Sequence, residues 1–92
     1  MIRTFRHKGL EKFYLTGNKS GIDPQHAGKL ERILDRLSAA SEYRDMNYPG
    51  SALHKLSGDR DGYYSLKISG NWRVIFHLQD KDAFDVDYCD YH

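Results

Sequence analysis

The spacing of apolar residues changes once along this chain, at Pro49-Gly50, and that change constrains the fold more than any other feature. Ahead of it, apolar side chains recur at the three-to-four-residue interval of a helix face. Beyond it they alternate, as they do along a strand. Leu10, Phe13, Tyr14 and Gly17 follow the i, i+3, i+4, i+7 pattern, and Gly17-Asn18 supplies a stop, which predicts a short first helix from Lys8. Asp23-Pro24 places a capping carboxylate ahead of a proline, whose missing N–H costs nothing at a helix start. Ala27, Leu30, Ile33, Leu34 and Leu37 then share one side of a second helix reaching about Ala40, with Lys29, Arg32 and Arg36 on another.

In the second half the clearest strand is 71–79. Trp72, Val74, Phe76 and Leu78 share one face, and Asn71, Arg73, Ile75 and His77 share the other. Ser69-Gly70 and Asp80-Lys81-Asp82 bracket it as tight turns. Two further strands are expected at 53–56 and 63–68, joined by the turn-rich 57–62. Phe84, Val86 and Tyr88 mark the buried side of a last strand, and 2–6 alternates weakly. The expectation is an α+β domain, with two N-terminal helices packed on one face of a mainly antiparallel sheet of about four to five strands.

A chain of 92 residues is long enough for one core and too short for two, so 1–92 is read as a single domain. Apolar residues at 39% and charged residues at 29% exclude a disordered tail. The formal charge of +1 hides an asymmetry: residues 1–79 carry 13 Lys and Arg against 8 Asp and Glu, and 80–92 carry 1 against 5. Cys89, the one cysteine, permits neither an internal disulfide nor a zinc spacing, which points to a reducing cytoplasm. Charges at Arg3, Arg6, Lys8, Glu11 and Lys12 interrupt any signal peptide, and no apolar run approaches the roughly 20 residues of a membrane span. No membrane association is expected. Glycine-rich phosphate loops, metal-spaced clusters and Gly-x-Ser-x-Gly elbows are all missing from the sequence, so neither metal nor cofactor is expected.

Three places carry chemistry. Asp90-Tyr91-His92 puts a carboxylate, a phenol and an imidazole side by side after the last strand, a set able to move protons, or else a polar tail. His54-Lys55 offers a second imidazole, whose alternative is hydrogen bonding at a sheet surface. Asn71-Trp72-Arg73 directs Asn71 and Arg73 away from a buried Trp72. An arginine fixed on a strand suits a phosphoryl group, and its alternative is a surface ion pair. Lys8, Lys12, Lys29, Arg32, Arg36, Lys55, Arg60, Lys67 and Arg73 form the basic body, either a phosphate-tracking surface or a solvated face. His7, His26 and His77 receive no functional role.

Taken together, the opening Met-Ile-Arg-Thr-Phe-Arg-His-Lys-Gly-Leu, the central Leu56-Ser57-Gly58-Asp59-Arg60-Asp61-Gly62-Tyr63-Tyr64-Ser65, Asn71-Trp72-Arg73 and the closing Asp90-Tyr91-His92 resemble the HigB toxins of the RelE/ParE superfamily. The resemblance runs in order along essentially the whole chain. It implies a RelE-like microbial RNase fold and the toxin of a type II toxin-antitoxin system. The activity implied is that of a ribosome-dependent mRNA endonuclease, an mRNA interferase cleaving in the ribosomal A site beside 16S rRNA. The partner implied is a HigA-type helix-turn-helix antitoxin, in a heterotetramer that also binds operator DNA. By the same resemblance His54, Asp90, Tyr91 and His92 are catalytic, with Arg73, Lys55 and Asn71 lining the same sheet face to hold phosphate. The chemistry implied is metal-free attack of a 2′-hydroxyl on its neighbouring phosphate, with His92, Asp90 or His54 as base. Two other readings compete: a ParE-like gyrase-inhibiting toxin, and a non-catalytic RNA-binding or antitoxin-binding module.

Overall fold

The structure, a computed structural model, describes residues 1–90. Helix α1 (Lys8–Thr16) begins at His7, whose Nδ1 accepts from the Leu10 N–H at 2.9 Å. It ends at Gly17, which takes φ 80° so that its N–H reaches the Phe13 carbonyl at 2.8 Å. The Asp23 carboxylate caps the Gln25 N–H at 2.9 Å, as its place before proline predicts. The turn it starts, Pro24–His26, is a 3-10 turn, and helix α2 (Ala27–Ala39) follows. Glycine is required where α1 meets the loop ahead of α2: a Cβ on Gly9 would sit 2.5 Å from the Gly21 oxygen.

Strands β1 (His54–Lys55), β2 (Tyr64–Ser69), β3 (Trp72–Gln79) and β4 (Asp82–Asp90) form an antiparallel sheet in chain order. Asp80 and Lys81 both take positive φ, 53° and 69°, as the type I′ turn between β3 and β4 demands. The N-terminal arm runs parallel to β4 through bridges Ile2 to Ala83 and Phe5 to Val86. Arg3 Nε bonds Asp82 at 2.9 Å, which ties the arm down.

Both helices lie on one face of the sheet. Leu10, Leu30, Leu37, Leu66, Val74, Phe76 and Val86 are fully enclosed there, joined by Met46 from the 3-10 turn Tyr43–Met46. Toward the end of β4, Tyr88 stacks on Trp72 with ring centroids 4.7 Å apart, and its hydroxyl lies 2.6 Å from Nδ1 of the buried His26.

Three expectations from the alternation fail locally. The pairing of β3 with β4 shifts between Ile75–Asp87 and His77–Phe84, and Asp85 sits in this irregularity at φ 54°. An extra residue reverses the faces beyond it, so Phe84 turns to the side away from the helices, near His77, and Ala83 fills the core in its place. The first strand narrows to His54–Lys55 from the expected 53–56. Ile75, on the face away from the helices, is only 3% exposed, because segment 57–63 folds over it.

Candidate active site

Register defines what the open face of the sheet presents. Residues paired directly across antiparallel strands share a face. His54 pairs with Ser65, Ser65 with Ile75, and Ile75 with Asp87. One step along, Lys67 pairs with Arg73 and Arg73 with Cys89. His54 and Arg73 therefore stand on one face, two strands apart and one same-face step along. Strand spacing and rise put their Cα atoms about 12 Å apart, near enough for an imidazole and a guanidinium to meet one phosphodiester.

Segment 57–63 closes one side of this face. Its 3-10 turn Gly58–Arg60 brings Asp59 and Arg60 beside Ile75 and Asp87. Tyr63 anchors the segment by donating to Asp85 at 2.7 Å, and its ring packs 5.4 Å from that of His77. The Asp85 bond, foremost, raises the Tyr63 phenol above its ordinary value. The left-handed backbone at Asp85 is held in turn by Thr4, whose Oγ1 accepts from the Asp85 N–H at 2.8 Å.

The electrostatics do not suit a thiolate nucleophile. Burial, aided by the Asp87 carboxylate, pushes the Cys89 thiol up against the pull of the Arg60 and Arg73 guanidinium groups. A thiol held protonated is a poor nucleophile. Arg73 spends one terminal nitrogen, Nη1, on the carbonyls of Gly70 at 2.7 Å and Trp72 at 3.0 Å, which fixes one tine of its fork. Lys67 is its exposed cross-strand neighbour. Among the described residues, no group of three His, Cys, Asp or Glu side chains is placed to hold a metal ion.

Of the residues expected at the site, His54 and Arg73 share the open face. Lys55 does not share it. It pairs with Tyr64, which pairs with Phe76 and stacks on Tyr43 at 3.7 Å, so register sets Lys55 on the helix side. The expectation that Lys55 lines the face of Arg73 is corrected by this one-residue alternation. Asn71 occupies the exposed β2–β3 turn beside that face. Asp90 pairs with Trp72 and belongs by alternation to the row of Tyr88, on the helix side at the sheet's end. Tyr91 and His92 lie outside the described residues. Sequence reasoning left Tyr63 and Asp87 out of the site and named Arg60 and Lys67 only within the broad basic body. Alternation from Arg73 would have found Lys67, whereas Arg60 arrives through loop docking that no local pattern encodes.

A family profile described as the RelE-like toxin of type II toxin-antitoxin system HigB matches residues 3–92. An endoribonuclease HigB of Proteus vulgaris is 37% identical over 92 residues, covering all of both chains. A toxin HigB-1 of Vibrio cholerae is 31% identical, over the whole of this chain and 98% of its own. Among solved structures, the heterotetrameric YoeB-YefM toxin-antitoxin complex of Staphylococcus aureus contains a chain that superposes with a TM-score of 0.64 at 23% identity. That likeness covers all of this chain and 95% of the other, and it is a likeness of fold. With a family profile spanning nearly its whole length and two full-length relatives above 30% identity, the chain belongs to the HigB-like toxins, RelE-like toxins of type II toxin-antitoxin systems.

Proposed function

We propose that this toxin is a metal-independent endoribonuclease that cleaves translated mRNA in the ribosomal A site and so arrests growth. The observation that carries the reading is the open sheet face, where His54 stands with Arg73, Lys67 and Arg60 in a chain of the HigB-like family. The full-length Proteus vulgaris relative, named an endoribonuclease, supports the same reaction class. In this reading a base takes the proton of an RNA 2′-hydroxyl, and the oxygen attacks the adjacent phosphorus. The 5′-oxygen leaves with a proton from an acid, giving a 2′,3′-cyclic phosphate and a 5′-hydroxyl. Arg73 stabilises the charge gathering on the phosphoryl oxygens. His54 supplies one imidazole, and the family resemblance adds Asp90, Tyr91 and His92. Base and acid are drawn from His54 and His92, because register sets Asp90 on the helix side, away from Arg73. The need for a 2′-hydroxyl makes RNA the substrate and excludes DNA.

A protein antitoxin of the HigA type, with a helix-turn-helix fold, is the partner in this reading, in a heterotetramer that also binds operator DNA. The toxin acts in the cytoplasm. The test is to induce the protein in growing cells and map mRNA 5′ ends for the wild type, His54→Ala, Arg73→Ala and His92→Ala. Cleavage inside translated frames that needs active translation and fades in the variants is the expected result. Growth arrest with intact mRNA and altered DNA supercoiling would replace the reading with gyrase inhibition.

A further inference from the structure

Segment 57–63 is a closed loop clasped to β4. The Leu56 N–H bonds the Tyr63 carbonyl at 2.8 Å, and the Tyr63 N–H bonds the Arg60 carbonyl at 3.0 Å, so Arg60 stands one turn from Tyr63. The Tyr63 hydroxyl reaches out of this loop to the Asp85 carboxylate, a charge-assisted bond. Asp85 meets it from the irregularity in β4, where its backbone is left-handed and its N–H is held by Thr4 of the N-terminal arm. Irregularities of this kind re-aim a side chain beside a site. Gly62 is held separately, its carbonyl accepting from the Tyr43 hydroxyl at 3.0 Å, so loss of the Tyr63 bond shifts the loop without releasing it.

What the clasp places is Arg60. Cys89 pairs with Arg73 across β3 and β4, and its thiol meets both guanidinium groups, Arg60 through a hydrogen bond and charge and Arg73 through charge. The two forks thus converge on one side chain of the open face, within reach of the same phosphoryl group. We propose that Tyr63 and Asp85 are positioning residues: their bond fixes the loop so that Arg60 and Arg73 grip one RNA phosphate from two sides. The inference rests on the endoribonuclease reading above, to which it adds a second arginine and the support that places it. An arginine on a loose loop samples many rotamers, and ordering it on substrate binding carries an entropic cost. The clasp orders the loop beforehand, as a reaction that depends on exact placement requires. Tyr63 itself is not the base: its phenol, raised above its ordinary value foremost by the Asp85 bond, keeps its proton and uses it on Asp85.

The test measures single-turnover mRNA cleavage on programmed ribosomes by the wild type, Arg60→Ala, Tyr63→Phe, Asp85→Asn and the Arg60→Ala/Tyr63→Phe double variant, with melting followed by circular dichroism. Arg60→Ala should slow the saturated rate by about a hundredfold, as loss of one charge-stabilising donor does. Tyr63→Phe keeps the ring and loses the bond. It should slow the saturated rate by about tenfold and leave the half-saturating ribosome concentration within about twofold, the sign of a group misplaced in the transition state. Asp85→Asn still accepts the Tyr63 hydroxyl bond and tolerates the left-handed backbone, so it should keep the rate within about threefold. The double variant should be no slower than Arg60→Ala alone, since Tyr63 acts through Arg60. Losses that multiply in the double variant overturn the inference, and so does a folded Tyr63→Phe that cleaves at the wild-type rate. An Arg60→Ala protein that melts earlier yet cleaves as fast as the wild type also overturns it, and makes Arg60 a counter-ion for Asp59 and Asp87 in the same hollow. A wild type that cleaves no mRNA overturns the endoribonuclease reading itself, and this inference with it.

Discussion

The two faces of the sheet share one backbone and differ in what covers them. On the helix side Leu66, Val74, Phe76 and Val86 are enclosed by α1 and α2. On the other side the same strands present Lys67, Arg73, Ile75 and Asp87, and among the described residues segment 57–63 lies over Ile75 and Asp87. Burial demands apolar side chains on the first face and leaves the second free to gather charge. In the proposed reading the division separates holding the fold from acting on RNA, and it says which substitutions should cost stability and which activity.

The largest test falls on the helix side. Phe76→Ala, deep in the core, should destabilise by about 3 to 5 kcal/mol in chemical denaturation, because the side chain is fully buried and packs with the rings of Tyr43 and Tyr64. A loss below 1 kcal/mol there would break the contrast between faces. Next comes Arg73→Ala, expected to slow mRNA cleavage by about a hundredfold, as removal of one charge-stabilising donor does. Its melting should shift little, since the bonds it loses go to the carbonyls at the β2–β3 turn. Ile75→Val sharpens the comparison, because this apolar residue lies on the charged face. A cost of about 0.5 to 1.5 kcal/mol would show that segment 57–63 packs as a true cover, and no cost would make it a loose strap.

The smallest effect concerns pH. The hydrogen bond from Arg3, first, and the Arg3 and N-terminal charges hold the Asp82 carboxyl below its ordinary value. Folding thus favours the ionised form, and that stabilisation is present above the ordinary carboxylate range and lost as pH falls through the lowered native value. Asp82→Asn should flatten the fall in melting temperature between about neutrality and about pH 3. An unchanged pH profile would assign the acid sensitivity to other carboxylates, such as Asp45, which the Ser41 and Glu42 backbone N–H groups lower in the same direction.

Much of this was legible in one dimension, and the rest was not, for a single reason. Helix and strand periods are local, so the two helices, the antiparallel hairpins and the core-facing row Trp72, Val74, Phe76 and Leu78 could be read directly, although Trp72 is only half-buried, and so could Arg73 on the opposite row. His54 and Lys55 could be seen as neighbours facing apart, but which of them joins Arg73 waits on pairing with Ser65 and Tyr64. The irregularity at Asp85 moves Phe84 out of the core, and nothing in the alternation of 82–90 announces it. Arg60 reaches the open face only because segment 57–63 folds back over Ile75. By itself the sequence determined the elements, their order and the chemistry each could bear, since these follow from backbone geometry repeated residue by residue. The tertiary structure alone decided which side chains share a face, because a face is set by hydrogen-bond register between distant strands, where a one-residue shift reverses every side chain beyond it.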